Sequence, residues 1–224
     1  MERRIEIDNN YKKILRVVQV IYVLSGILIS IMGIVHHSAY EEIQGVATLL
    51  LLPGLYLVRR LTHWEGGWQL ETYIYIFTYL GWSLGGAAQF YGLIPYFDKM
   101  VHCLSGVFVA VLALAFYRML ERGHSHEGEN PITAYLFVFF ASMAVAGMFE
   151  LCEYTLAPIL GRDLQHVLDT GVSDTMGDMF VCLLGTLVIV ALMIRSHHGK
   201  HDFLTDAAEV FVAQNPRKET VKRN

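Results

Sequence analysis

Three pairs of polar residues interrupt stretches of this sequence that are otherwise apolar and long enough to cross a membrane. The pairs are Asp98 with His102, Glu150 with Glu153, and Asp174 with Asp178. An ionisable side chain inside a bilayer costs about 3 kcal/mol on insertion scales, and it persists where it is paired, hydrated or used in function. The coincidence of three pairs therefore predicts a functional site.

The chemistry that these residue types favour is cation binding. Five carboxylates have only Lys99 and Arg162 as fixed positive charges nearby, and crowded carboxylates cannot all remain ionised without protons or metal ions. Oxygen ligands with one histidine suit Mg²⁺, Mn²⁺, Fe²⁺ or Zn²⁺, and the set lacks the thiolates of a closed structural zinc site. The ligands predicted for a divalent metal ion are His102, Glu150, Asp178, Asp98 and Asp174.

The elements that must position these residues are membrane-spanning helices. Hydrophobic residues make up 54% of the chain and charged residues 17%, a balance typical of polytopic membrane proteins. About 20 apolar residues cross a hydrocarbon core as a helix. We predict an all-α domain over residues 1–195 and a basic cytoplasmic tail at 196–224. The six spans are predicted at 14–36, 43–61, 70–90, 99–120, 131–156 and 174–195.

The distribution of basic residues predicts the topology. Arginine and lysine gather in the N-terminal segment, in the second and fourth loops and in the tail, which leaves Lys99 and Arg162 for the opposite side. By the positive-inside rule both termini are cytoplasmic, and the first, third and fifth loops face outward. The first span is then a retained signal anchor, since no small-residue cleavage site follows it. The lipid bilayer is the predicted surrounding.

Helix direction predicts the depth of the six residues. A separation of three or four residues keeps each pair on one helix face, about 5 to 6 Å apart. Since spans four and six run inward and span five runs outward, His102, Glu150 and Asp178 form a deeper layer. The shallow layer consists of Asp98, Glu153 and Asp174. Asp174 alone could instead cap the start of its helix.

The fifth loop has a helical pattern of its own. Leu160, Leu164, Val167 and Leu168 recur at helical spacing, which predicts a short amphipathic helix on the outer surface. Because this loop joins spans five and six, it must lie near the acidic pairs. A lid over the site and a structural cap are equally compatible with the pattern.

Other residues favour structural roles. Cys103, Cys152 and Cys182 all fall within predicted spans and are expected to be reduced thiols. His124 and His126 are expected in a cytoplasmic loop rather than a metal site, and a short helix is predicted from Thr205 to Ala213. No nucleic-acid motif appears, and the pattern does not define an oligomeric state.

The polar motifs resemble those of the YjdF-type family of bacterial inner-membrane proteins. The similar stretches are Asp98-Lys99-Met100-Val101-His102, Glu150-Leu151-Cys152-Glu153 and Asp174-Thr175-Met176-Gly177-Asp178-Met179. The resemblance implies a bacterial plasma-membrane location. A weaker similarity is to VanZ-like envelope proteins, although Glu153 and Asp178 replace the glutamine and asparagine of that pattern. This second similarity implies a role in the cell envelope.

These observations favour three functions. The first is a metal-dependent hydrolase or transferase acting at the outer leaflet on a lipid or envelope substrate, with Glu153 as proton acceptor and Arg162 steadying an anionic headgroup. The second is a proton-coupled transporter of a cation or cationic solute. The third is a non-enzymatic envelope-stress or structural factor whose polar cluster fastens three helices together.

Overall fold

The computed structural model describes residues 1–121 and 130–216, and the described chain is built from helices without strands. His124 and His126 of the fourth loop, and the basic residues after 216, lie outside the described residues. The helices are α1 (Glu2–His36), α2 (Ala39–Thr62), α3 (Trp68–Thr78), a π-helical segment (Tyr79–Ala87), α4 (Phe90–Leu93), α5 (Phe97–Glu121), α6 (Pro131–Leu160), α7 (Val167–Thr170), α8 (Ser173–His197) and α9 (Phe203–Gln214).

Five of these helices are long and apolar enough to cross a membrane: α1, α2, α5, α6 and α8. They correspond to predicted spans one, two, four, five and six. Their outer faces carry large exposed apolar side chains, such as Leu57 on α2 and Phe140 on α6. Contiguous apolar surface of this extent is rare on soluble monomers and fits contact with lipid.

The predicted third span has two parts. The 11 residues of α3 are followed directly by the 9 residues of the π-helical segment, so neither part alone has the length of a span. In the wider π turn, Gly85 lies under the ring of Tyr91, and a β-carbon at Gly85 would meet that ring. The small residues at this point therefore make room for an aromatic side chain of the next connection.

The predicted helix of the fifth loop is reduced to the four residues of α7. The preceding helix α6 extends to Leu160, and the chain from 161 to 166 is irregular. Leu168 is 88% exposed and Val167 50% exposed, so the apolar residues of this loop do not form one packed face. Asp163 instead accepts hydrogen bonds from the backbone amides of Val167 and Leu168.

Two reciprocal glycine contacts hold α5 against α8. Gly106 of α5 lies on the backbone of Cys182, and Gly185 of α8 lies on the backbone of Cys103. Small residues at such positions let two helix backbones approach closely. The contact begins about one turn beyond His102, so it determines the distance at which the first turns of α5 and α8 face each other.

The helix α9 packs onto the end of the bundle that lies opposite the first turns of α5 and α8. Ala207, Ala208 and Val210 are at most 1% exposed and join the main hydrophobic core. Asp8 of α1, which is also buried, accepts hydrogen bonds from the Gln69 amide at 3.0 Å and from Gln214 Nε2 at 2.9 Å. The short helix predicted near Thr205 to Ala213 is thus present as a docked element of the core.

Candidate functional site

The polar pairs lie on three helices that meet at one end of the bundle. Asp98 and His102 are in the first turns of α5, Asp174 and Asp178 are in the first turns of α8, and the glutamates are in the second half of α6. The side chains of Asp178 and His102 are 4% and 12% exposed, whereas those of Asp174 and Asp98 are 16% and 32% exposed. Burial therefore follows the order of the two predicted layers.

Lys99 is at the centre of an ion-pair network. Its Nζ lies 2.5 Å from Asp174 Oδ1, 2.8 Å from Asp178 Oδ1 and 3.1 Å from Asp98 Oδ2. The same ammonium donates to the backbone carbonyl of Asp174 at 3.4 Å. One lysine thus partly neutralises three carboxylates and links the start of α5 to the start of α8.

His102 faces the same carboxylates from α5. Its Nε2 lies 3.5 Å from Asp98 Oδ1 and 3.8 Å from Asp178 Oδ1, distances that permit ion pairing and exceed those of a good hydrogen bond. Its Nδ1 lies 3.9 Å from Cys182 Sγ, and its ring packs edge-on against Phe149. The histidine is therefore positioned by α8 and α6 with one nitrogen directed toward the acids.

Three of the predicted ligands have donor atoms that converge on one point. The donor atoms of Asp98, His102 and Asp178 all lie within 4.8 Å of one another. A metal held at about 2.1 Å by each ligand needs donor separations of at most about 4.2 Å, so small side-chain movements would suffice. Lys99 contacts Asp178 Oδ1, the oxygen that lies 3.8 Å from His102 Nε2, so an ion held between His102 and this oxygen would compete with the ammonium.

Glu150 has a different partner. It is 7% exposed, and Gln165 of the α6–α8 connection donates to its Oε2 at 3.0 Å and to its backbone carbonyl at 3.2 Å. The carboxylate is thereby held against the connection, while Asp98 joins His102 and Asp178. The set with converging donor atoms therefore combines two residues of the predicted deep layer with one of the shallow layer.

The two predicted catalytic residues occupy different surroundings. Glu153 is half-buried and interacts electrostatically with His102, Asp98 and Asp178. Arg162 is exposed, and its guanidinium lies 3.8 Å from the ring centroid of Tyr40 in the first turn of α2. Within the described chain Arg162 forms no ion pair with the acidic cluster. The structure thus brings Glu153 near the acids, whereas Arg162 packs on Tyr40.

A cavity of about 110 Å³ adjoins the histidine. Tyr91 of α4 and His102 line it together with mainly apolar side chains, including Phe77, Val109 and Phe149. Burial and the neighbouring carboxylates of Asp98 and Glu153 raise the pKa of Tyr91 above its ordinary value, so its hydroxyl remains protonated at neutral pH. The polar cluster therefore borders an apolar space that carries a neutral hydroxyl.

The interior beyond this cavity is closed. Ser142 of α6 and Thr186 of α8 are hydrogen-bonded at 2.8 Å, and Ser142 also donates to the carbonyl of Gly106. Further along, Val111, Val138 and Ile189 are at most 1% exposed. Within the described chain, these packed side chains separate the cavity from the other end of the bundle.

The long apolar helices and their apolar outer surfaces define a polytopic membrane protein. Residues 15–199 match the model of a family described as "Predicted membrane protein (DUF2238)", and the chain belongs to this family.

Two relatives support this assignment. The chain is 35% identical over 105 residues to the inner membrane protein YjdF of Escherichia coli (strain K12), which confirms the YjdF-type resemblance; the match covers 46% of this chain and 47% of that protein, about half of each. It is 26% identical over 145 residues to an uncharacterised protein of Thermotoga maritima, covering 65% and 72% of the two chains. No solved structure matches the chain.

Three residues of this site were not among the predicted site residues. Lys99 counted in the sequence only as a nearby charge, although its position directly after Asp98 was a usable signal. Gln165 and Tyr91 lie in connections whose paths the sequence does not define. Their contacts with Glu150 and Gly85 depend on how α4 and the α6–α8 connection fold back onto the bundle.

Proposed function

We propose that this protein binds one divalent metal ion in an outward-facing pocket and acts there on a lipid-linked or other envelope substrate. The observation that carries the proposal is the convergence of Asp98, His102 and Asp178 within 4.8 Å beside an apolar cavity. Two carboxylates and one imidazole suit Mg²⁺, Mn²⁺, Fe²⁺ or Zn²⁺. A polar mouth next to an apolar space suits a substrate with a polar head and an apolar portion.

The proposed location is the bacterial inner membrane, with six spans and both termini cytoplasmic. The helical run 68–87, formed by α3 and the π-helical segment, supplies the remaining crossing between α2 and α5. The site lies at one end of α5 and α8, whereas Arg118 and Arg195 lie at the other end. This separation of charge supports an outward site under the positive-inside rule.

The closed interior favours an enzyme or receptor over a transporter. Alternating access requires a route from the site to the opposite side of the membrane. Beyond the cavity, the Ser142–Thr186 hydrogen bond and the core around Val138 occupy that path. The alternative, a proton-coupled transporter of a cation or cationic solute, requires a second conformation that opens this region.

The chain's own residues would divide the chemistry as follows. When bound, a divalent ion supplies Lewis acidity and lowers the pKa of coordinated water. Glu153, half-buried and interacting electrostatically with His102, would accept a proton in its ionised form. Lys99 can keep its ion pair with Asp174 at 2.5 Å when its ion pair with Asp178 is broken. Its ammonium then offers a positive charge to an anionic part of the substrate. The Tyr91 hydroxyl can donate to the same substrate.

Elemental analysis of the purified protein tests whether it binds a metal ion. We expect about one equivalent of a divalent metal per chain, lost in Asp178→Asn and His102→Ala. Glu150→Gln should retain the metal because Glu150 is bonded to Gln165, and Asp169→Asn is the matched control on the outer loop. Absence of metal above background in the wild type, after supply of all four candidate ions, would overturn the metal proposal.

The Lys99 network favours one second candidate, a non-enzymatic factor in which the cluster fastens α5 to α8. In that case substitutions at Asp178 and Asp98 should reduce thermal stability and cellular phenotype in parallel. Loss of phenotype in a variant of undiminished melting temperature would exclude the structural role. Measurement of both quantities on the same variants separates the two candidates.

A further inference from the structure

A second cavity, with a more polar lining, lies at the end of the bundle opposite the acidic cluster. It has a volume of about 220 Å³ and lies between the last turns of α5 and α8, the start of α6, and α9. Hydrogen-bonding and cationic side chains form much of its wall: Tyr117, Arg118, Tyr135, Ser196, His197 and Thr205. Nothing in the proposed outward site uses these residues.

Arg118 is the distinctive residue of this cavity. Its Nε is fully buried and has no hydrogen-bond partner, and within the described chain no carboxylate lies in ion-pair contact with its guanidinium. By contrast, Arg59 pairs with Glu71 at 2.7 Å, and Arg4 pairs with Asp206 at 3.2 Å. Leaving a buried charged donor unpaired costs folding free energy, so an external acceptor would stabilise this arrangement.

The two carboxylates that line the cavity already have partners. Glu209 accepts a charged hydrogen bond from Arg4, and Glu121 has an interaction of its own. The 30-residue helix α6 begins at the cavity with Asn130 and Pro131, and the N-terminal end of a helix carries partial positive charge.

We infer that this cavity binds a phosphate group, with the Arg118 guanidinium as the main charge and the neighbouring hydroxyls of Tyr135 and Ser196 as additional hydrogen-bonding groups. A guanidinium and phosphate oxygens match in a bidentate geometry. The phosphate belongs either to an anionic lipid headgroup, since the cavity lies where apolar helices end, or to a free phosphate ion. The two sources share this chemistry and differ in whether an acyl chain must be present.

The test uses the full chain, purified and delipidated in a neutral detergent. One arm adds inorganic phosphate; the other adds mixed micelles containing phosphatidylglycerol, with phosphatidylcholine as the neutral comparison. Retained lipid is read by native mass spectrometry and binding by the shift in melting temperature. The variants are Arg118→Gln and Arg118→Lys, and the matched control is Arg60→Gln, an exposed arginine of the last turn of α2.

We expect Arg118→Gln to weaken binding of the effective probe by about tenfold or more, equivalent to 1.4 kcal/mol, with a smaller loss in Arg118→Lys and none in Arg60→Gln. Saturable binding of phosphatidylglycerol without binding of phosphate identifies a lipid headgroup; saturable binding of phosphate alone identifies the free ion. If wild type binds neither probe, or if Arg118→Gln binds as wild type does, the inference is wrong. If circular dichroism shows that Arg118→Gln does not fold, the wild-type titrations and Tyr135→Phe replace it. Weaker binding in Tyr135→Phe than in wild type then supports the inference, and equal binding contradicts it.

Discussion

The Lys99 ammonium of α5 lies 2.8 Å from the Asp178 carboxylate of α8, and the same carboxylate oxygen lies 3.8 Å from His102. This one oxygen is shared between a fixed cation and a residue of the proposed metal set. An ammonium and a metal ion cannot both occupy the space in front of it. The Lys99–Asp178 contact therefore offers a direct way to test whether the cluster binds an ion.

Lys99→Met should strengthen binding of a divalent metal by about tenfold. The substitution removes the competing ammonium while retaining most of the aliphatic volume of the side chain. Metal affinity is measured by isothermal titration on the demetallated protein in detergent, with Lys200→Met, at an exposed position after α8, as the control. Unchanged or weaker affinity in Lys99→Met would show that Lys99 does not compete with the metal ion; absence of binding in both proteins would favour a purely structural ion-pair network.

Gly106→Ala should strongly destabilise the protein. A β-carbon at Gly106 would collide with the Cys182 carbonyl of α8, and overpacking of this kind typically costs about 1–3 kcal/mol, or more at a rigid backbone contact. Gly147→Ala in α6 is the matched control, because a β-carbon there meets nothing within 4 Å and alanine favours a helix by up to about 1 kcal/mol. Melting temperatures in detergent should therefore move in opposite directions; equal effects would mean that α5 and α8 are not in close contact.

Gln165→Leu should loosen the α6–α8 connection. The substitution removes both hydrogen bonds to Glu150 and leaves a buried carboxylate without this donor, at a cost of about 1–3 kcal/mol or more. Hydrogen exchange across residues 161–172 should accelerate, whereas exchange in the core of α5 should not change. Asp169→Asn, at an exposed position of α7, should behave as wild type. Protection that is equal in Gln165→Leu and wild type would show that the connection is held by other contacts.

Deprotonation of Asp206 should lower the folding stability of the protein as the pH rises through the mildly acidic range. Burial raises the pKa of Asp206, and the positive charges of Arg4 and His201 oppose that effect, while Glu209 and Asp202 add to it. Because the folded state then binds this proton more tightly than the unfolded state, whose aspartate pKa is about 3.9, deprotonation above that value costs folding stability.

Asp206→Asn should remove part of this pH dependence. The measurement is the difference in melting temperature between wild type and variant at successive pH values, which cancels the titration of the outward acids. Glu2→Gln, at an exposed position of α1, controls for a change of net charge. A difference between wild type and Asp206→Asn that does not vary with pH would contradict the raised pKa.

The spans could be predicted because apolar length is a local property. Five helices occur where hydropathy predicted them, and the spacing of Asp98 and His102 predicted their shared face, since four residues make about one helical turn. The amphipathic helix of the fifth loop was predicted by the same reasoning and is reduced to α7. There, hydrogen bonds from the Val167 and Leu168 amides to Asp163 compete with helical ones.

The sequence by itself determined that this is an all-α membrane protein with its polar pairs at one end, because hydropathy and the distribution of charge are read directly from the order of residues. These pairs are Asp98 with His102, Glu150 with Glu153, and Asp174 with Asp178. Only the tertiary structure decided which of these acids meet. The glycine contacts between α5 and α8 bring Asp178 to Lys99 and His102. The α6–α8 connection places Gln165 in hydrogen-bonding contact with Glu150. Such pairings depend on distances between residues 15 to 80 positions apart, which the spacing along one helix does not determine.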